Sequence, residues 1–363
     1  MHALIKRAVI LGMLALSLAG CSQVQQQTVK PRLFWPPPPN DPKLEWVGSY
    51  NGNQDLNTKP PSLFATIIGA DQSYSLDRPL AVASDGNGLV FVTDAEQNAV
   101  IVFDFNKEDT YRLGGDELAG LIRHLTGITV DADDNAYVAD STLRRVFVFN
   151  TKTNKLVKTL DLSPHVGSIG MLAIDKARKR LIVPDVKQNK IVVFDLNGKQ
   201  LLSFGKKGDG NGEFNLPLSV AVESNGNIVV CDSFNARIQR FTLEGVFINK
   251  FGNRGDGLGD FSIIKGVAVD SEGHIYVTDG KENRFSVFSE KGDVLTVIGR
   301  TYGLREGGKA VAGGFLVPQG IYIDHNDRIY IADQLNRRIQ IYQYLNESYL
   351  KRNPIPPKPA GVK

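Results

Sequence analysis

Six aspartates recur along the chain at spacings of 45 to 54 residues, and basic residues follow most of them at a constant offset. The aspartates are Asp94, Asp140, Asp185, Asp232, Asp279 and Asp333. Five positions later the chain carries Arg145, Lys190, Arg237, Arg284 and Arg338, and only the first copy, with Ala99, breaks the rule. Such a pair can tie a turn to a strand, and a residue type that recurs in every repeat favours this structural role. The alternative is a ring of cations that recruits an acidic ligand.

Histidines and other polar residues give little support to metal or nucleophile chemistry. The histidines beyond residue 20 are His124, His165, His274 and His325. The first two fall at the opposite end of the predicted strands from the last two, so three imidazoles are not expected to meet at one zinc ion. No Gly-x-Ser-x-Gly motif occurs. We therefore expect no cofactor, and the sequence favours a non-enzymatic function.

The repeated aspartates lie within a recurring pattern of short strands. In the stretch 217–241, runs rich in Val, Ile and Phe are separated by tight polar turns, one of which contains Asn225-Gly226. Similar copies cover 79–103, 125–149, 169–194, 264–288 and 318–342, and each ends in an aromatic residue nine positions after its aspartate. A repeat of about 40–50 residues built from short strands indicates one blade of a β-propeller.

Most copies are followed by a fourth apolar run, as in 199–205, 246–252 and 293–299. One four-stranded sheet cannot bury both of its faces alone, whereas six sheets stacked radially bury them all. We therefore predict an all-β fold, a six-bladed β-propeller of four-stranded antiparallel blades. The sixth copy lacks a fourth run, so a strand from the N-terminal region should close the ring. Leu44–Tyr50 is favoured over 63–69, and both remain open at this point.

The repeats resemble the NHL repeat, which consists of Pro-x-Gly-Val-Ala-Val-Asp, Gly-x-Ile-Tyr-Val-Thr-Asp and Asn-x-Arg-Ile-Gln-x-Phe segments. The stretches 266–288 (GVAVDSEGHIYVTDGKENRFSVF) and 320–342 (GIYIDHNDRIYIADQLNRRIQIY) match it closely. The third copy departs most, with Pro184 before its aspartate and Met171-Leu172 in place of the small pair. The resemblance covers roughly residues 79 to 344 and implies the propeller fold, but it does not specify an activity.

The N-terminus has the features of an export signal. Lys6 and Arg7 precede an apolar run from Ala8 to Leu18 that is too short to span a membrane. The sequence Leu18-Ala19-Gly20-Cys21 resembles the lipobox of bacterial lipoproteins, which implies that Cys21 carries acyl chains such as palmitate. Ser22 follows the cysteine, and by resemblance to lipoprotein sorting this suggests the outer membrane, with the leaflet unspecified.

Composition and charge complete the predicted domain organisation. The formal charge is +3, and loss of Lys6 and Arg7 with the signal leaves it near +1, so no nucleic-acid partner is expected. We predict a signal peptide at 1–20, a Gln/Pro-rich tether at 21–42, a monomeric propeller at 43–346 and a Pro-rich tail at 347–363. The tether contains four consecutive prolines, Pro36 to Pro39, and reaches at most roughly 70 Å when extended.

The functional prediction follows from the connections between repeats. The turns after the repeated aspartates share one end of the propeller with the blade-to-blade loops, which makes that loop-rich face the expected binding surface and channel mouth. Lys265 and Gln319, at the heads of first strands, are the pair of interest there. We predict a lipid-anchored envelope protein that binds a protein, peptide or glycan. The alternative is a calcium-dependent lactonase or esterase, which needs several carboxylates directed into the channel.

Overall fold

A computed structural model of the chain describes residues 32–37, 40–56, 74–115, 120–299 and 311–355. By its contacts the chain divides into residues 1–32 and 33–363, and the first unit lies outside the described residues except for Arg32. The predicted signal peptide, Cys21, the stretch 63–69 and the end of the predicted tail also lie outside them. None of the helices in the described ranges is long and apolar enough to cross a bilayer.

Strands of five to seven residues dominate the described chain, and each blade is an antiparallel meander. Blade 1 contains Pro79–Ser84, Leu89–Asp94, Ala99–Asp104 and Asp109–Arg112. Blade 2 contains Leu125–Val130, Asn135–Asp140, Arg145–Asn150 and Lys155–Asp161. Blade 3 contains Ala173–Asp175, Arg180–Asp185, Lys190–Asp195 and Gln200–Phe204.

The second half of the ring repeats this order. Blade 4 contains Pro217–Val222, Ile228–Asp232, Arg237–Phe241 and Phe247–Phe251. Blade 5 contains Ile264–Val269, Ile275–Asp279, Arg284–Phe288 and Val294–Gly299. Blade 6 contains Pro318–Ile323, Arg328–Asp333 and Arg338–Tyr344, joined by Leu44–Tyr50 and Leu33–Trp35. A short parallel pair, Lys206–Lys207 with Glu213–Phe214, lies between blades 3 and 4.

Local sequence explains why each blade forms. Tight turns link the strands, and Gly226 adopts φ +94°, which an L side chain rarely tolerates and which the predicted Asn-Gly turn requires. The turn places Val222 opposite Ile228 and Val220 opposite Val230. The second and third strands are apolar on both faces because they are covered by a blade on each side. Val92 and Ile101, for example, are fully buried.

The prediction of a six-bladed propeller of four-stranded antiparallel blades is confirmed. The first strands of successive blades contact one another around the whole ring, including those of blades 6 and 1. Leu44–Tyr50 supplies the fourth strand of blade 6, with Leu44 opposite Tyr344 and Tyr50 opposite Ile339. The N-terminal strand therefore joins the two ends of the chain within one sheet.

The chain before this closing strand differs from the predicted tether. Leu33–Trp35 pairs antiparallel with residues 44–46 and forms a fifth strand on blade 6. The Trp35 ring packs edge-on against Tyr342 at 5.8 Å, and the Trp35 carbonyl accepts a hydrogen bond of 2.8 Å from the Lys43 amide. The proline run thus belongs to the connection between two strands and is not a free spacer. The reason is that the apolar residues before it pair with the closing strand and pack against blade 6.

The short helices lie outside the blades. Asn53–Leu56 follows the closing strand, and Glu347–Arg352 follows blade 6. Asn346 caps the second of these, since its side chain accepts a hydrogen bond of 2.7 Å from the Tyr349 amide. The region predicted as a Pro-rich tail therefore begins with a helical turn and a half. Ser233–Asn235 and Gln334–Asn336 form single 3₁₀ turns.

Replacing Leu44 by Ala should destabilise the protein by about 2–5 kcal/mol, because Leu44 is 1 % exposed in the core of the closing blade. Val47 lies on the same strand and is 40 % exposed, so Val47→Ala is the matched control and should change stability by less than about 0.5 kcal/mol. Urea unfolding of the two variants measures the difference. Equal, small effects would contradict ring closure by this strand.

Candidate functional site

The propeller has two ends with different chemistry. The loop face carries the turns between second and third strands and the connections between blades. The hairpin face carries the turns between first and second strands and between third and fourth strands. The residues singled out from the sequence lie at the loop face or on the strands that lead to it.

The six repeat aspartates are buried at the loop face, where they bind backbone amides. Asp94 is typical: one carboxylate oxygen accepts hydrogen bonds from the Asp77 and Arg78 amides at 2.6 and 2.9 Å, and the other accepts from the Gln97 amide at 3.0 Å. The other five aspartates accept the corresponding hydrogen bond from an amide of the segment that enters the blade. These amides belong to Arg123, Gly167, Asn215, Ser262 and Leu316. Each carboxylate therefore ties the segment that enters a blade to the strand at its centre.

Two of the predicted basic residues complete this arrangement inside their blades. The Nε atoms of Arg237 and Arg338 donate to Asp232 and Asp333, both at 2.8 Å. Their Nη2 atoms reach carbonyls of the incoming connection, at 2.9 Å from Arg237 to Glu213 and 2.7 Å from Arg338 to Gly314. Arg237 and Arg338 are 6 % and 3 % exposed, so neither guanidinium is available to a ligand.

The remaining basic positions are more open but do not converge. Arg284 donates to the carbonyls of Gly257 and Asp260 at 3.1 and 2.9 Å. Arg145 is exposed and lies 3.9 Å from Asp161. Lys190 is half-buried and forms no ion pair within the described part of the chain. The structure does not assemble the five residues into one accessible ring, because Arg237, Arg284 and Arg338 each bind the connection that enters their own blade.

Lys265 and Gln319 lie on the neighbouring first strands of blades 5 and 6. Gln319 is buried, and its Nε2 donates to Gln334 Oε1 at 3.1 Å, while its carbonyl accepts the Thr278 hydroxyl of blade 5. Lys265 is half-buried on the first strand of blade 5 and covers Gly280. Neither side chain lines the central cavity.

The central cavity has a volume of about 460 Å³ and opens at the hairpin face, not at the loop face as expected. Its walls are apolar side chains of the first strands, and turn residues such as Lys176 and His325 surround its mouth. The first strands converge towards the loop face. A Cβ atom on Gly170 would lie 2.6 Å from the Leu218 carbonyl oxygen, and one on Gly320 would lie 2.9 Å from that of Leu80. Backbone contact between neighbouring blades thus narrows that end.

Carboxylates recur at the hairpin face in a pattern that the sequence reasoning missed. They are Asp85, Asp131, Asp175, Glu223, Asp270 and Asp324, nine or ten residues before the repeat aspartates, and this second periodicity was available in the sequence. Asp270 illustrates their use, since it accepts hydrogen bonds from His274 Nδ1 at 2.8 Å and the Tyr276 hydroxyl at 2.9 Å. The bond to Asp270 raises the pKa of His274. Five of these carboxylates accept backbone amides of their own turns, whereas Glu223 accepts from the Asn227 side chain and from Arg240.

Lys176 lies at the mouth of this cavity, and no sequence pattern singled it out. Burial lowers its pKa, and the carboxylates of Asp324, Asp131 and Asp85 oppose that shift. Within the described ranges, no group of three or more His, Cys, Asp or Glu side chains is arranged to hold a metal ion. Cys231 is fully buried, and burial raises its thiol pKa well above the usual value.

Replacing Asp333 by Ala should destabilise the protein by about 3–5 kcal/mol, because Arg338 then keeps a buried charge without its carboxylate. The double variant Asp333→Ala/Arg338→Met should recover part of this loss. Asp161→Ala is the control for an exposed ion pair and should cost less than about 1 kcal/mol. Urea unfolding measures all three, and equal costs for Asp333→Ala and Asp161→Ala would show that the buried pair does not stabilise the blade.

Comparison with known proteins agrees with this architecture. The DUF5128 family model, described as a 6-bladed beta-propeller, matches residues 165–251, and the NHL repeat model matches residues 261–288. A structural-genomics protein of unknown function from Bacteroides thetaiotaomicron shares the fold, with a TM-score of 0.56 at 18 % identity over 74 % of this chain and 70 % of that one. The repeats, the ring of blades and these matches together identify the chain as a six-bladed β-propeller that contains an NHL repeat.

Proposed function

We propose that this protein is a lipid-anchored binding protein of the bacterial envelope that holds a protein partner on its loop face. The anchor is Cys21, within the lipobox-like sequence at the end of an export signal. Because Leu33–Trp35 is part of blade 6, the tether runs only from Cys21 to Leu33 and reaches at most roughly 40 Å when extended. The greatest distance that the propeller can reach from the membrane is therefore shorter than it would be with a tether that ended at Lys43.

The observation that carries the proposed binding role is a set of exposed apolar side chains on the loop face. Phe234 and Leu335 follow the repeat aspartates of blades 4 and 6 by two residues and are 50 % and 53 % exposed. Leu258, on the connection between blades 4 and 5, is 80 % exposed. Apolar and aromatic anchors of this kind dominate the energetics of protein interfaces. They favour a protein or peptide partner over a glycan.

Hydrogen bonds hold the backbone of Phe234 and Leu335 in place. The Phe234 amide donates to the Asn215 carbonyl at 3.0 Å, and its own carbonyl accepts from Arg254 Nη2 at 2.7 Å. The Leu335 amide donates to the Leu316 carbonyl at 3.0 Å. A backbone held in this way loses little conformational entropy on binding, which favours affinity. No specific observation favours the alternative calcium-dependent hydrolase, whose carboxylates would have to be directed into the channel.

Replacing Cys21 by Ala should move the protein from the membrane fraction to the soluble fraction, because the acyl chains that anchor it are attached through that thiol. Cys231→Ala is the control, since Cys231 is buried in blade 4, and this variant should stay with the membranes. Fractionation of cells followed by immunoblotting measures both. A Cys21→Ala variant that still sediments with membranes would contradict anchoring by lipidation.

The double variant Phe234→Ser/Leu335→Ser should lose its partner, with the recovery of at least one envelope protein reduced about tenfold or more. The experiment crosslinks the tagged full-length protein in its own envelope and compares the co-purified proteins quantitatively. Val157→Ser/Leu201→Ser is the matched control, because these side chains are 56 % and 50 % exposed on outer strands away from the loop face. Identical sets of co-purified proteins for wild type and both variants would contradict the proposed binding face.

A further inference from the structure

A cleft of about 520 Å³ lies at the hairpin face where blades 6 and 1 meet. It is bounded by the closing strand, the Glu347–Arg352 helix and turns of both blades. The cleft is of a size that suits a small organic ligand. It differs from the seams between blades 3 and 4 and between blades 4 and 5 in the state of one arginine, Arg328.

The arginine at the corresponding place in blade 3 is fully engaged. Arg180 opens the second strand of blade 3, as Arg328 opens that of blade 6. The Arg180 guanidinium binds Asp175 at 2.8 Å and crosses to blade 4, where it donates to the Leu243 carbonyl at 2.9 Å. Arg240 makes a similar crossing from blade 4 to blade 5, to the Glu290 carbonyl at 2.9 Å. In both seams the guanidinium is used to join neighbouring blades.

In blade 6 a tyrosine hydroxyl, and not an arginine guanidinium, binds the carboxylate that follows the first strand. Asp324, the counterpart of Asp175, accepts a hydrogen bond of 2.9 Å from the Tyr330 hydroxyl. Strand register places Ile182 of blade 3 at the position of Tyr330, so blade 3 has no such hydroxyl. Arg328 is exposed, and within the described residues its guanidinium forms no hydrogen bond or ion pair. The Tyr330 hydroxyl thus occupies Asp324, and the Arg328 guanidinium faces the cleft.

A second arginine and an aromatic wall complete the cleft. Arg352, at the end of the C-terminal helix, is exposed and uses only Nε locally, in a bond of 3.2 Å to the Ser348 carbonyl. Tyr50 and Phe105 form an edge-to-face pair with centroids 4.9 Å apart. Arg328 and both rings line the same cleft. Burial raises the pKa of Tyr50, and the charge of Arg328 opposes that shift.

We propose that this cleft binds a small aromatic carboxylate, with the carboxylate on Arg328 and Arg352 and the ring against Tyr50 and Phe105. A guanidinium presents paired N–H donors that match the two oxygens of a carboxylate. Aromatic rings favour edge-on or offset contact with another ring. Asp324 is the only acidic residue among those that line the cleft, and its oxygens are already bound by Tyr330 and its own turn.

This site lies on the face opposite Phe234 and Leu335 and does not depend on the proposed function. The test titrates the full-length protein with benzoate, with benzamide as the neutral analogue and with inorganic phosphate as an anion without a ring. Ligand-observed NMR and calorimetry measure affinity. Benzoate should bind more tightly than either of the other two probes.

Arg328→Gln and Arg352→Gln should each weaken benzoate binding about tenfold or more, since a hydrogen bond to a charged group is lost. Arg144→Gln, at an exposed arginine of the loop face, is the control and should bind as the wild type does. Unchanged melting temperatures verify that the variants fold. Binding that is insensitive to Arg328→Gln, equal affinity for benzamide or phosphate, or no binding of benzoate at millimolar concentration would each overturn the proposal.

Discussion

A buried carboxylate that accepts backbone amides at the entrance of each blade is the contact on which this propeller depends. Each blade must receive the chain from its neighbour at a fixed place, and the amides of that incoming segment have no strand partner of their own. The repeat aspartates supply the acceptor, as Asp94 does for Asp77 and Arg78. The same carboxylate thus holds both the connection and the turn on the loop face against the centre of the blade.

The same constraint explains the basic residues. In blades 4 and 6 an arginine shares the buried carboxylate and extends to carbonyls of the connection, so that both hydrogen-bonding groups of the incoming backbone are satisfied. A buried charge pair is tolerated when hydrogen bonds complete it. Burial still raises the pKa of Asp232 and Asp333, and the guanidinium beside each opposes this shift. These residues serve the blade and leave ligand chemistry to other parts of the surface.

The two faces of the propeller therefore differ in what they present to a partner or ligand. The loop face is held by buried charge pairs and presents Phe234, Leu258 and Leu335 outwards. The hairpin face holds the central cavity and the cleft at the closing seam. Closure places an N-terminal strand beside the last blade, and so the seam between blades 6 and 1 is built from parts of the chain that no other seam has.

Sequence alone determined the repeat and the number of blades, and it favoured Leu44–Tyr50 as the strand that closes the ring, which the pairing with blade 6 then decided. These features are encoded locally: strand periodicity, turn residues such as Asn225-Gly226 and the aspartate of each copy need no knowledge of other blades. The fifth strand at Leu33–Trp35 was missed because three apolar residues before a proline run form a strand only when a surface is present to cover.

Only the tertiary structure decided where the cavity opens and which arginines are free. Arg180 and Arg328 both open a second strand five residues before a repeat aspartate, yet Arg180 joins two blades while Arg328 faces a cleft. The physical reason is that the approach of Gly170 and Gly320 to neighbouring backbones, and the presence of competing donors such as Tyr330, depend on how the blades pack against each other. Distances between repeats are set by that packing and not by the pattern within one repeat.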